Sequence, residues 1–270
     1  MHASGLQDLD DKVVERTKSK YSHKILLALQ LDDAKLAREA YEWTQSIPQT
    51  RTCRELASKD IVIDGYLIGS NEYLEICFVD GRPSVLKTVT RSEFNRVCNL
   101  IESNVSHPNL VPVILETVET KYFVIMPLLP ITAEHLYKIP LSTAEKLWTQ
   151  IGSALQCLHD RGFAHKDVKS ANICVDHNGN FILIDFGDTV EFGYKSSSTP
   201  EYVPSDIDAE EGASATIDWW MLAMTVYDRM QDLNCGLRSG TERFSTTSLK
   251  EWLLENGCDF IIEKLESLQL

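Results

Sequence analysis

The hydrophobic positions of the chain change their period near residue 58. Before that point apolar residues recur at helical spacing, first at Ile25, Leu26 and Leu29 and then at Leu36, Ala37, Ala40 and Tyr41. This spacing predicts two amphipathic helices, and Pro48 ends the second. We therefore expect residues 1–57 to form a helical N-terminal extension that either docks on the rest of the chain or binds a partner.

After residue 58 the apolar residues alternate with a period of two, which predicts strands. The strand segments are 61–63, 66–68, 74–79, 84–89, 111–115 and 121–126. Asp80-Gly81 predicts a hairpin turn between two of them. Helical periodicity returns over 91–103, from Ser142 to Leu158, from Asp218 to about 230, and near 247–255 and 259–268.

Composition excludes several classes of partner. The chain has 270 residues, a net charge of −14 and a pI near 4.9, which argues against nucleic acid or an anionic membrane as a main partner. No apolar run is long enough to span a bilayer, and no signal-peptide core is evident. The seven cysteines are dispersed and predict reduced thiols, so we expect a cytoplasmic or nuclear protein.

Polar residues with the chemistry of phosphoryl transfer are concentrated in two neighbouring stretches, 163–172 and 181–187. Asn172 follows Asp167 by five positions, and Asp185 follows Asn172 by thirteen. Mg²⁺ prefers oxygen ligands, which Asn172 and Asp185 can supply. Asp167 can accept a hydroxyl proton, and Lys169 can neutralise phosphoryl oxygens. These residue types predict a site that binds Mg²⁺ and a nucleotide and acts on a hydroxyl group.

The two stretches resemble the catalytic loop and the metal-binding Asp-Phe-Gly motif of protein kinases. His165-Lys-Asp167 stands for the family's His-Arg-Asp, and Lys169 is typical of serine/threonine kinases. The resemblance implies an α+β, two-lobed protein-kinase-like fold with a small antiparallel-sheet N-lobe (58–126), a hinge (127–131) and a mostly helical C-lobe (132–270). It also implies ATP and Mg²⁺ as cofactors, Asp167 and Lys169 as catalytic residues, and Asn172 and Asp185 as metal ligands.

The resemblance further implies which residues bind the nucleotide. Lys87 matches the lysine that contacts the phosphates, and a lysine inside an apolar strand needs an anionic partner. The phosphate-covering loop keeps Gly69, but Asn71 and Leu74 replace the other two glycines of the family pattern. The remaining residues expected at the nucleotide are Ile76, Val85, the gatekeeper Met126, Pro127 and Leu129 of the hinge, and Cys174.

The acid that should pair with Lys87 is ambiguous in the sequence. Counting back from His107-Pro-Asn places it at Val97 or Cys98, neither of which is acidic. Glu93 lies one turn earlier and could substitute if the helix is shifted. It could equally be a first-turn acid that the helix dipole favours.

The segment after Asp185 resembles the end of a serine/threonine kinase activation segment. Thr199-Pro-Glu-Tyr predicts that Thr199 bridges Asp167 and Lys169. Asp206 takes the place of the glutamate in the family's Ala-Pro-Glu, but the arginine that usually pairs with it is not recognisable. Asp218 resembles the buried aspartate that bonds the catalytic-loop backbone. Ser196, Ser197 and Ser198 are candidate phosphorylation sites that Lys166 could neutralise.

Three functions are compatible with these features. The first is ATP- and Mg²⁺-dependent transfer of a phosphoryl group to serine or threonine hydroxyls of a protein substrate. The second is a pseudokinase, a nucleotide-binding or scaffold module without transfer, which the lost glycines and short C-lobe favour. The third is a small-molecule phosphotransferase, against which Thr199-Pro-Glu-Tyr and Lys169 argue.

Overall fold

The computed structural model describes residues 51–67, 74–195, 198–208, 212–231 and 244–268. Most of the predicted N-terminal extension, Gly69 and Asn71, and Ser196 and Ser197 lie outside these residues. The chain divides into two compact units, one of residues 1–94 with 112–130 and one of 95–111 with 131–270.

The first unit is built on a five-stranded antiparallel sheet in the order β1-β2-β3-β5-β4. Its strands are β1 (Ile61–Leu67), β2 (Leu74–Val79), β3 (Arg82–Val89), β4 (Ile114–Val118) and β5 (Lys121–Pro127). Asp80 and Gly81 join β2 to β3 with φ angles of 48° and 75°, which confirms the predicted hairpin turn. The predicted segment 61–63 and residues 66–67 of the predicted segment 66–68 belong to the single strand β1, and residue 68 lies outside the described residues.

One face of this sheet packs against α1 (Arg51–Ala57), the part of the predicted extension that the structure describes. Leu56 of α1 is fully buried in a hydrophobic cluster with residues of all five strands. The strand members of the cluster are Ile61, Ile63, Cys77, Leu86, Val118, Phe123 and Ile125. Helix α1 therefore completes the core of the first unit.

Strand register places several predicted nucleotide-binding residues on the other face. Ile76 pairs with Val85, and Val85 pairs with Met126. Lys87 lies two residues after Val85 and pairs with Val124. Because paired residues share a face and side chains alternate along a strand, all four predicted residues line one side of the sheet.

Helix α2 (Arg91–Glu102) follows β3, and its first turn belongs to the first unit. The predicted helix over 91–103 is confirmed to within one residue. The Thr90 hydroxyl accepts a hydrogen bond of 3.2 Å from the Glu93 backbone N–H, so Thr90 caps the helix.

The second unit is mostly helical. Its α-helices after residue 130 are α3 (Leu141–His159), α4 (Ala215–Met230), α5 (Thr246–Glu255) and α6 (Asp259–Ser267). Helix α4 is buried along almost its whole length, because α3 and the surrounding loops cover it. The Trp148 and Trp219 ring centroids lie 5.4 Å apart where α3 meets α4. A Cβ atom at Gly152 would lie 3.0 Å from the Trp219 ring, so this close helix contact favours glycine.

Short strands in the second unit present the loops that carry the polar motifs. Strands β6 (Ile131–Thr132), β8 (Ile173–Val175) and β9 (Phe181–Leu183) form a small sheet in the order β6-β8-β9. Strands β7 (Phe163–Ala164) and β10 (Val190–Glu191) form another. Of the helices that the structure describes, none is both long enough and apolar enough to cross a bilayer.

Candidate active site

A buried carboxylate on α4 holds the backbone of the loop between β7 and β8. Asp218 is completely buried and accepts hydrogen bonds from the backbone N–H groups of His165 (2.7 Å) and Lys166 (2.8 Å). It also contacts His159 Nε2 of α3 at 2.9 Å. The predicted bond between Asp218 and the loop backbone is confirmed, and this carboxylate fixes the chain immediately before Asp167.

The side chain of Asp167 is held by three neighbours. Asn172 Nδ2 donates to both the Asp167 carbonyl (2.9 Å) and its Oδ2 atom (2.6 Å). Lys169 Nζ lies 3.0 Å from Oδ1 and 2.8 Å from Oδ2. The Thr199 hydroxyl donates to Oδ1. With only 9% of Asp167 exposed, these contacts fix the orientation of the carboxylate and compensate its charge.

Thr199 links the activation segment to this cluster. Its hydroxyl accepts a bond of 3.2 Å from Lys169 Nζ while donating to Asp167. The predicted bridge between Asp167 and Lys169 is therefore confirmed.

Asp185 and Asn172 are thirteen positions apart in the sequence, but the fold brings their backbones together. The Ile184 backbone N–H donates to the Asn172 carbonyl at 2.9 Å, which places Asp185 next to Asn172. The Asn172 amide nitrogen is used by Asp167, so its Oδ1 atom is the one suited to a cation. Asp185 has a left-handed backbone (φ 62°) and accepts a hydrogen bond of 3.2 Å from the Gly187 N–H.

His165 braces this arrangement. The Asp167 N–H donates to its Nδ1 atom at 3.3 Å, so the proton is on Nε2, which donates to the Ile184 carbonyl at 3.2 Å. Its ring also meets the edge of the Phe186 ring, with centroids 5.9 Å apart. His165 thus connects the loop that carries Asp167 to the turn that carries Asp185.

In the first unit, Lys87 has an acidic partner on α2. Lys87 Nζ lies 2.8 Å from Glu93 Oε1, and each side chain is 18% exposed. The open question from the sequence is settled in favour of Glu93. Val97, the position inferred by counting back from His107, is buried and apolar. The count placed the acid one helical turn too late, because the loop after the helix can differ in length.

The other predicted nucleotide-binding residues divide between the two units. Ile76, Val85 and Met126 share a sheet face with Lys87, as described above. Pro127 ends β5 and is exposed, and Leu129 is half-buried. Cys174 lies in β8 of the second unit, where burial, followed by the charge of Glu134, raises the pKa of its thiol to about 12. Gly69 lies outside the described residues.

The basic residue of the His-Lys-Asp motif is completely buried. No part of the Lys166 side chain reaches solvent, and burial lowers its pKa although the charges of Asp218 and Asp208 oppose this change. A phosphate on Ser198 would therefore reach Lys166 only if the lysine were uncovered. The predicted pairing of Lys166 with a phosphate stays a prediction.

Sequence reasoning missed the partner of Asp206. Its carboxylate accepts hydrogen bonds from the Thr246 backbone N–H (2.8 Å) and hydroxyl (2.7 Å) at the start of α5. Ser205 N–H also donates to the Phe244 carbonyl at 2.8 Å. The end of the activation segment is thus anchored to a helix N-terminus where the family uses an arginine. The sequence signal was Ser245-Thr246, because Ser and Thr are typical of the start of a helix, and the apolar pattern of α5 follows them.

A second network that sequence reasoning missed lies beneath the activation segment. The Tyr202 hydroxyl contacts Ser170 Oγ (3.1 Å) and Asp228 Oδ2 (3.3 Å). Burial, followed by the charge of Asp228, raises the pKa of Tyr202 to about 12. Arg229 pairs with Asp228 at 2.9 Å and donates to the carbonyls of residues 133, 134 and 136. In the sequence, the adjacent charged residues Asp228 and Arg229 near the end of α4 were the signal of this network.

Comparison with known proteins identifies the family. A protein-family model described as the protein kinase domain matches residues 84–248. The chain is 29% identical over 166 residues to rat serine/threonine-protein kinase Sgk2, covering 56% of this chain and 45% of that protein. It is 27% identical over 166 residues to human Sgk1, covering 56% of this chain and 38% of that protein. The chain therefore spans less than half the length of these relatives.

A solved structure has the same fold. The kinase PK-1 of Cydia pomonella granulovirus matches with a TM-score of 0.57 at 19% identity, covering 66% of this chain and 71% of that one. This likeness confirms the α+β, two-lobed kinase-like fold with an antiparallel-sheet N-lobe and a helical C-lobe. Together with the match over more than half of the sequence, it shows that the chain belongs to the protein kinase family.

Proposed function

We propose that this chain transfers the γ-phosphoryl group of ATP to serine or threonine hydroxyls of protein substrates, with Mg²⁺ as the metal. The observation that carries the proposal is the hydrogen-bonded cluster of Asp167, Lys169, Asn172 and Thr199. Asp167, Lys169 and Asn172 each have a chemical task in phosphoryl transfer, and Thr199 orients Asp167 and Lys169. A module that only binds would have no chemical need for all four in this geometry.

Asp167 is the proposed base. Its two oxygens together offer four acceptor positions, and Lys169, Asn172 and Thr199 already use them. Lys169 uses one position on each oxygen, so a substrate hydroxyl can reach Oδ1 when Lys169 turns towards the phosphoryl group, while Thr199 keeps its bond and orients the carboxylate. Asp167 would then orient this hydroxyl and accept its proton, as the base of a kinase catalytic loop does.

Lys169 is the proposed charge stabiliser. Its ammonium group lies within hydrogen-bond distance of both Asp167 and Thr199. A phosphoryl group close to the base would come within reach of the same cation. Preorganised positive charge of this kind lowers the energy of a transition state that carries negative charge on oxygen.

The residues near Asp185 fit a magnesium ion. Asn172 Oδ1 and the Asp185 carboxylate are hard oxygen donors, and Mg²⁺ in such sites is held by one or two side chains together with phosphates and water. Among the described residues, no group of three or more His, Cys, Asp or Glu is arranged to hold a metal ion. We propose Asn172 and Asp185 as the protein ligands. When bound, Mg²⁺ would neutralise phosphate charge.

The salt bridge between Lys87 and Glu93 supports nucleotide binding. An unpaired lysine on an apolar sheet face would be costly, whereas a lysine oriented by a carboxylate is ready to contact phosphates. The bridge measures 2.8 Å, and both side chains are mostly shielded from water. The first unit therefore keeps the ion pair that active kinases require.

The alternative is a pseudokinase, and one residue favours it. Leu74 replaces a glycine of the phosphate-covering loop and pairs directly with Lys87 in the β2–β3 ladder. Its side chain shares a face with Lys87, where a glycine would leave room for the backbone to approach phosphates. Leu74 therefore predicts weaker binding of the nucleotide. It does not by itself predict that phosphoryl transfer is lost.

Two measurements separate the alternatives. Purified protein with Mg²⁺ and γ-labelled ATP should label itself or a generic basic protein, and Asp167→Asn should abolish the label. A nucleotide-dependent rise in Tm without any transfer would support the pseudokinase instead. Labelling of an aminoglycoside or choline, but of no protein, would select the small-molecule phosphotransferase.

A further inference from the structure

Arg96 of α2 contacts the turn that carries Asp185. Its guanidinium Nε atom donates a hydrogen bond to the Gly187 carbonyl. The side chain is partly buried, in contrast to Arg91, which is exposed on the same helix. Nothing in the sequence pattern singles out Arg96, because its spacing is that of an ordinary polar helix position.

The turn that Arg96 contacts has a backbone conformation that needs support. Asp185 has φ 62° and ψ 82°, and a non-glycine residue in this left-handed region is strained. Such strain persists only when neighbouring groups hold the backbone in place. From the catalytic loop, His165 contacts the Ile184 carbonyl and the Phe186 ring. From α2, Arg96 holds the carbonyl of Gly187.

Three carboxylates, those of Asp167, Asp185 and Asp188, interact at this turn. Burial raises the pKa of Asp188, and the charge of Asp167 and then that of Asp185 add to the increase. Arg96 and His165 act in the opposite direction. The three carboxylates repel one another, and Arg96 offsets part of this repulsion while it bonds the backbone.

We propose that Arg96 is a positioning residue for Asp185. Its hydrogen bond holds the turn at Gly187, two residues after Asp185, whereas His165 contacts Ile184 and Phe186. The charge of Arg96 compensates the neighbouring carboxylates. Asp185 is thereby kept in the conformation in which its oxygens can bind a divalent cation. The inference deepens the proposed function, on which it rests for the identity of the cation as Mg²⁺.

The test measures metal binding separately from catalysis. Arg96→Met removes the charge and the donors and keeps most of the volume, and Arg91→Met is the matched control on the same helix. The Tm of each protein is measured at a fixed ADP concentration over a series of Mg²⁺ concentrations. Residues that orient metal ligands change metal affinity about 10–100-fold. We expect the Mg²⁺ midpoint of Arg96→Met to rise about tenfold, and that of Arg91→Met to match the wild type.

Arg96→Lys provides a second variant, and it is informative even if Arg96→Met does not fold. Lysine keeps the charge but lacks the planar guanidinium group, so we expect its Mg²⁺ midpoint to lie between those of the wild type and Arg96→Met. Wild-type midpoints in Arg96→Lys and Arg96→Met, or equal changes in Arg91→Met, would overturn the proposal. The proposal would also be overturned if the Tm of the wild type in ADP did not change with the Mg²⁺ concentration.

The titration also distinguishes this inference from the proposed function. If the wild type transfers no phosphate but the Arg96 variants still shift the Mg²⁺ midpoint, the positioning role stands and the kinase proposal fails. If transfer occurs and the midpoint does not move, the kinase proposal stands and the role of Arg96 is refuted.

Discussion

Replacing Asp218 with asparagine should weaken the second unit severely, because one buried carboxylate organises the catalytic loop. Asp218 Oδ1 accepts from the Lys166 N–H, and Oδ2 accepts from the His165 N–H and contacts His159 Nε2. Asparagine has nearly the same shape. It offers only one acceptor oxygen, however, and its amide nitrogen would face a backbone donor.

The magnitude follows from these contacts. A hydrogen bond to a charged group contributes about 1.5–3 kcal/mol, and a buried donor left without a partner costs about 1–3 kcal/mol. Asp218→Asn loses at least one such bond, leaves one N–H unpaired and weakens the remaining bonds. We expect the free energy of unfolding to fall by about 3–5 kcal/mol, which is a large part of the roughly 5–15 kcal/mol typical of a folded protein.

Urea unfolding followed by circular dichroism measures this loss, and the Tm should fall by roughly 6–20 °C. The control is Asp60→Asn, at an exposed position with φ 59°, a conformation that asparagine adopts readily. The control should stay within about 0.5 kcal/mol of the wild type. If both variants unfold at the wild-type midpoint, Asp218 does not hold the loop as described.

Three further predictions concern other contacts. Glu93→Gln weakens the salt bridge with Lys87, so ATP affinity measured by thermal shift should fall about tenfold, and an unchanged affinity would contradict the role of the pair. Thr199→Val removes a hydroxyl bonded to the proposed base, so kcat should fall about 10–100-fold with little change in Tm, and a large loss of Tm with unchanged kcat would show a purely structural role. Asp206 has its pKa held below the ordinary 3.8, because the hydrogen bonds from Thr246 outweigh the opposing effect of burial. A carboxylate with a lowered folded-state pKa stabilises the fold above its unfolded-state pKa and loses this effect as the pH falls through the folded value. The difference in unfolding midpoint between the wild type and Asp206→Asn should therefore be constant from about pH 5 to 7 and shrink below about pH 3.8, whereas a difference that grows on acidification would refute the assignment.

The catalytic loop could be predicted from the sequence because its geometry depends on short separations. Asn172 follows Asp167 by five positions, and a tight turn of that length leaves the two side chains few arrangements. The bonds from Asn172 to Asp167 follow from this closeness. The sheet of the first unit was predictable for a similar reason, since Asp80-Gly81 fixes the register of the hairpin around it.

Contacts between distant parts of the chain were harder to predict. Glu93 and Lys87 meet because β3 leads directly into α2, but the phase of that helix could not be fixed by counting from a loop of unknown length. Asp206 and Thr246 are forty residues apart, and both are ordinary polar residues until the fold joins them. Arg96 and Gly187 are ninety-one residues apart, and no local pattern links them.

The most direct test of the central claim is phosphoamino-acid analysis of protein labelled by the wild type and by Asp167→Asn. Asparagine at 167 keeps the shape of the side chain but cannot accept a proton as a base. If Asp167 is the base, the wild type should produce labelled phosphoserine or phosphothreonine, and the variant should produce it at least about 100-fold more slowly. The absence of labelled serine and threonine in the wild type, or equal labelling by both proteins, would contradict the assignment.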